Sequence, residues 1–204
     1  IRDLVRSRGL GDVYKRQDYE RQGGDSAGNS MGGDIASLES TSFTLGAAYR
    51  ERGYTREALK EFNKALAEMA DRDRVHIEIG KLHLDEGAYD DAAESFYRAL
   101  ECNAENSEAF RLLGCIYHLT DDFTQAAICY LQAFRLNSAD TDTMNNLGVL
   151  LYQTGLVEDA ERMFKKGLNL KLYHQELNYN FLNCNLIKEE YLMAENLLQR
   201  LEAF

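Results

Sequence analysis

Four glycines stand 34 residues apart, at Gly46, Gly80, Gly114 and Gly148, each behind a large aliphatic residue: Leu45, Ile79, Leu113 and Leu147. Each lies in a stretch whose apolar residues recur at helical spacing, as in "FRLLGCIYHL" at 110–119. A glycine inside a helix costs about 1 kcal/mol relative to alanine, so its return in register needs a packing reason. The rest of the period supplies one. Twelve residues beyond each glycine comes an alanine: Ala58, Ala92, Ala126, Ala160. Four further on is an aromatic (Phe62, Phe96, Tyr130, Phe164), and three beyond that a small residue (Ala65, Ala99, Ala133, Gly167). Two antiparallel helices per period, A and B, account for these columns, because small residues facing each other allow a close crossing. On this reading the glycine of helix A meets the alanine of helix B. The aromatics then fill the gap toward the neighbouring period.

A 34-residue unit of two helices with these columns resembles the tetratricopeptide repeat. The full units span 39–72, 73–106, 107–140 and 141–174. A fifth, 175–204, is degenerate: Leu182 replaces the glycine, while Ala194 and Leu198 keep their places. Turn strings recur between the helices as "ERGY", "DEGAY", "TDDF", "QTGL" and "KEEY". The family's usual proline near the end of helix B is missing, with Ala104 and Ser138 in its place. The resemblance implies an all-α fold: a right-handed superhelical solenoid of antiparallel helix pairs, four full repeats plus the degenerate fifth. It also implies a non-catalytic scaffold for protein–protein interaction.

The first 38 residues read differently. Residues 1–17 carry five basic and two acidic side chains, opposite in sign to the rest. Within them "SRGLGDVYKRQ" resembles the translation of a sequencing adapter, so 1–17 are expected to be adapter-derived, with the natural N-terminus missing. Residues 18–38, rich in Gly, Ser and Asp, read as a flexible linker.

The formal charge of −11 repels phosphate backbones and argues against nucleic acid as a partner. No apolar run is long enough to cross a membrane. Cys102, Cys115, Cys129 and Cys184 form no CxxC pair and read as free thiols of a reducing, cytoplasmic compartment. "GKLHLDEG" at 80–87 lacks the Ser/Thr and the glycine-rich loop of a phosphate-binding motif. His83 shares a column with Tyr49, Tyr117 and Leu151 and reads as core. Cys115 and His118 stand at i, i+3, which could hold a metal, but no second pair accompanies them. No catalytic residue, metal or cofactor is expected.

The expected partner site is the concave face lined by the A helices. Its columns give Phe43, Ala47 and Arg50 in the first repeat, and Ile77, Lys81 and Leu84 in the second. Arg111, Cys115 and His118 follow, then Asn145, Val149 and Tyr152, then Tyr179, Asn183 and Leu186. These columns hold three cations and no acid, which points to a peptide or helical segment of another protein, with an acidic one among the candidates. Some relatives clamp a chaperone's C-terminal carboxylate here with lysine and asparagine, but Phe43, Ala47, Arg111 and Cys115 do not reproduce that clamp. An alternative is the recruiting arm of a larger enzyme whose catalytic domain lies outside this chain. Self-association is a further possibility, because the last repeat would expose Leu197, Leu198, Leu201 and Phe204.

Overall fold

A computed structural model of the chain describes residues 40–202, with side chains through Glu189 and at Tyr191 and Leu192. By contact the chain divides at Leu38/Glu39, and the description concerns the second unit. The adapter-like segment, the linker, and the side chains of Ala194, Leu197, Leu198, Leu201 and Phe204 lie outside the described residues.

Among the described residues every element is an α-helix. The first two pairs are α1 (Thr41–Glu51) with α2 (Thr55–Glu68) and α3 (Arg72–Asp85) with α4 (Tyr89–Cys102). The next two are α5 (Ser107–Leu119) with α6 (Phe123–Leu136) and α7 (Thr141–Gln153) with α8 (Val157–Leu170). A single long helix, α9 (Gln175–Glu202), follows. Each odd-numbered helix packs against its pair partner, and each even one against the odd helix after it, as in a superhelical stack.

The glycine column has a different partner from the one the sequence suggested. A Cβ placed on Gly80 would lie 2.3 Å from the Phe96 ring, and on Gly148 2.4 Å from Phe164. For Gly114 and Gly46 the rings of Tyr130 and Phe62 stand at 2.6 and 2.8 Å. The aromatic of helix B therefore lies flat on the bare backbone of its own helix A. The alanines one turn earlier are fully buried but are not the nearest atoms. A ring offers more apolar area to a flat surface than a methyl group does, and only glycine presents that surface.

The A-to-B turns share one conformation. Gly53, Gly87 and Gly155 have φ between 75° and 85°, and Asp121, in the same column, has φ 63°. Left-handed backbone suits glycine, and aspartate tolerates it better than most residues do. The equivalent position in the fifth unit is Glu189, within "LIKEEY", a run of good helix formers. Accordingly the turn expected at "KEEY" is absent, and α9 runs straight through it for 28 residues. Leu182 adds a second obstacle, since a side chain there would occupy the space that a ring from a returning helix B fills elsewhere. It is instead 56% exposed.

Side-chain caps close several of the helix starts. The Asn106 and Asp122 side chains accept the backbone N–H of Ala109 and Gln125 at 2.9 and 3.0 Å. The imidazole Nδ1 of His174 accepts the Leu177 N–H at 3.3 Å.

The glycine column yields a graded prediction. Gly80→Ala should destabilise the fold by about 1–3 kcal/mol, although alanine is the better helix former, because the Phe96 ring is enclosed. Gly46→Ala, with more room, should cost less. Denaturant midpoints of the two variants check the order.

Candidate functional site

The helix-A columns expected to meet a partner are largely occupied by contacts between repeats. Arg50 of α1 reaches Glu78 of α3 at 3.1 Å, and Asp85 lies 3.9 Å from its other end. Lys81 of α3 sits between Glu78, 2.9 Å away one turn back, and Glu108 of α5 at 3.0 Å. Arg111 of α5 lies between Glu108 at 3.5 Å and Asp140, the residue that caps α7, at 3.4 Å. These pairs form a continuous ladder of alternating charge across three repeats, up to the cap of α7, with Lys81 and Arg111 buried in it. Burying an ammonium or guanidinium requires such pairing, since an unpaired charge there would cost several kcal/mol.

The neutral members of the same columns do likewise. His118 meets the Gln153 side chain of α7 through Nε2 at 2.6 Å. Its Nδ1 faces the Tyr130 hydroxyl at 3.5 Å, and the two contacts together suit a neutral ring with hydrogen on Nε2. Burial holds the His118 pKa below its usual value, although the bond to Gln153 pulls the other way. Asn146 of α7 donates to the Cys115 sulfur at 3.2 Å, and Asn180 of α9 donates to Asn145 at 2.8 Å. Phe43 is core, tilted against Phe62 with the Arg74 guanidinium 5.2 Å from its ring centroid, and Ile77 is buried. Ala47, Arg50, Leu84 and Val149 are half-buried, and exposed members of the columns are reached only in α9. Tyr152 and Asn183 are half-buried, Tyr179 is 66% exposed and Leu186 half exposed. The structure thus brings the fifteen expected residues onto one set of helices but leaves few of them accessible.

Sequence reasoning missed the acids because it counted only the groove columns. Their signal was present: Glu78 and Glu108 stand three residues before Lys81 and Arg111, the spacing at which helix neighbours meet. The column of Tyr49, His83, Tyr117 and Leu151, read as core, is half-buried.

The remaining polar chemistry is structural. Burial pushes the Cys115 and Cys184 thiols up and the Cys129 thiol up to about 11, opposite to what an activated nucleophile needs. Among the described residues no three His, Cys, Asp or Glu side chains gather closely enough to hold a metal, and no helix is long and apolar enough to cross a membrane.

A second concavity lies on the helix-B side. It has a volume of about 500 Å³, with α6 and α8 as its walls and the C-terminal half of α7 as its floor. Leu131, Leu150, Leu156 and Met163 line it, and Asp159 and Arg162 are its charged side chains.

Models of the tetratricopeptide repeat match residues 43–109, 108–140 and 141–171, together more than half of the sequence. The chain belongs to the tetratricopeptide repeat family. Its repeats make a scaffold for protein–protein interaction. Comparison with curated proteins by sequence gave no match. Among solved structures, the MamA protein is 21% identical, covering 79% of this chain and 90% of its own, with a TM-score of 0.58. TTC0263, a thermophilic protein of this repeat type from Thermus thermophilus, is 18% identical, covering 74% and 83%, with a TM-score of 0.61. YrrB, described as having an unusual peptide-binding site, is 18% identical, covering 88% and 85%, with a TM-score of 0.57. At these identities the likeness is one of fold.

Two measurements test the helix-A contacts. Glu108→Ala removes one of the two acids that flank each of Lys81 and Arg111 and should cost about 2 kcal/mol, allowing for the partial exposure of Glu108 and the pairs kept with Glu78 and Asp140; Glu57→Ala, on exposed helix surface, should cost almost nothing. For His118, the unfolded ring takes up a proton at about pH 6.5, which the buried folded ring resists. Stability should therefore fall as pH drops below about 6.5, and His118→Phe should flatten that loss. Urea midpoints at about pH 7.5 and about pH 5 read it out.

Proposed function

We propose that the chain holds a helical or extended segment of another protein against the helix-A face of its last repeats. The observation that carries this is that members of the helix-A columns become exposed only in α9, at Tyr179 and Leu186. The ladder consumes the charges of the first three repeats, whereas Tyr179, Asn183 and Leu186 leave aromatic, amide and aliphatic groups within reach of a ligand. Asparagine can bond a peptide backbone, and tyrosine gives area at small entropic cost. The scaffold is preformed, so little ordering opposes binding on its side.

This reading moves the weight of the expected site toward α9 and removes the charge argument for an acidic ligand there. Arg50, Lys81 and Arg111 are matched by Glu78, Asp85, Glu108 and Asp140. YrrB and the first such domain of Spaghetti (RPAP3), a structure bound to the HSP90 peptide SRMEEVD, offer peptide binding as a precedent in this fold. The four unpaired cysteines favour a reducing compartment such as the cytoplasm.

The test is affinity capture from the source cells with the chain and with a Tyr179→Ala/Asn183→Ala variant of matched helix content. A protein retained by the first and lost by the second, with little dependence on salt, is the expected result. Equal retention by both would remove this face as the site.

A further inference from the structure

The outer surfaces of the B helices are not alike. α2, α4 and α8 are studded with acids and bases, whereas α6, "FTQAAICYLQAFRL", carries a single charge, Arg135. Its solvent side shows Ile128 and Leu131, each about half exposed, although it lies in the middle of the stack and not at an end. Leu131 is also a wall of the 500 Å³ groove between α6 and α8, and Leu156, half exposed, stands across from it. The apolar surface is therefore both concave and continuous with an open helix face.

The charge around it is weighted to one sign: Asp159 lines the groove and pairs with Arg162, but no acid occurs in residues 123–139 or 162–175, in a chain of net charge −11. These two segments hold Arg135, Arg162, Lys165, Lys166 and Lys171. Arg162 and Lys165 are partly satisfied by Asp159 and Glu161. Arg135 is exposed, and the Lys166 ammonium lies 4.4 Å from the centroid of the Phe134 ring, bridging α8 to α6. This is the reverse of the ladder, where each cation is flanked by acids on both sides.

We propose that the α6–α8 groove is a second docking site, and that its occupant is an acidic amphipathic helix of another protein. Aliphatic side chains at i, i+3 or i+4 and i+7 enter between Leu131 and Leu156. Carboxylates on the flanks of that helix reach Arg135 and Lys166. The walls are two helices with a trough between them, which fits a third helix better than a flat lipid surface. Because these charges lie at the rim, they set association rate and salt dependence more than the depth of the complex. The site shares no named residue with the helix-A face and does not rest on that reading.

The test pans a random peptide library, roughly 16 residues long so that a four-turn helix can form, displayed on phage, against the full chain. The selected peptides are then measured against Leu131→Glu, Lys166→Glu and Tyr179→Ala/Asn183→Ala variants whose circular dichroism matches the parent. Selected sequences should share aliphatic residues at helical spacing with Asp or Glu beside them. Their binding should weaken about tenfold or more in Leu131→Glu, less in Lys166→Glu, and not in the α9-face variant. It should also fall as salt rises. Peptides without acids, or binding indifferent to Leu131→Glu, would overturn the proposal. So would a dimer in sedimentation that Leu131→Glu dissociates, which would seat a second copy there. Leu131-dependent binding to phosphatidylserine vesicles, with no peptide selected, would assign the surface to a membrane instead.

Discussion

An aromatic ring laid on the bare backbone of a helix is the contact on which this fold depends. It brings the two helices of a pair closer than any side chain at the glycine column would allow, and it does so four times at the same offset. The cost in helix propensity is offset by a large buried face at each crossing. Where the glycine becomes Leu182 and the turn residue becomes Glu189, the pair does not form and the chain continues as one helix. The fifth unit is thus a natural control for the first four: changing both columns removes the hairpin while the register of the repeat persists.

A second set of contacts joins pair to pair. The ladder from Arg50 to Asp140, the His118–Gln153 bond and the Asn180–Asn145 bond all run from one A helix to the next. Tyr130 links the two sets, since its ring covers Gly114 and its hydroxyl faces His118, which bonds Gln153 of the next pair. Apolar packing is tolerant of small rotations, whereas these bonds hold only at particular distances. They constrain how each repeat turns on its neighbour, and so help to set the curvature of the helix-A face that a ligand would meet.

The architecture was legible because its signals repeat: a column seen four times in register is hard to produce by chance. What the columns touch was less legible. The aromatic and the alanine of helix B are one turn apart and both face helix A, so period alone could not say which meets the glycine. The groove residues were placed on the right helices, but spacing carries no information about exposure, and a column that faces solvent in one geometry faces the next helix in another. Lys81 and Arg111 looked available because their partners, Glu108 and Asp140, belong to columns outside the count. The outer groove left a trace in the missing charges of α6, a signal visible only when the four B helices are set side by side.

The straight course of α9 has a mechanical consequence. At about 1.5 Å per residue its 28 residues extend about 42 Å, twice the roughly 20 Å of the helices beside it. Packing against α7 and α8 holds it through Leu177, Phe181 and Cys184, all in its first half. A helix held in that way is a stiff lever, so a load applied near Glu202 would arrive at the Asn180–Asn145 contact as torque on the stack.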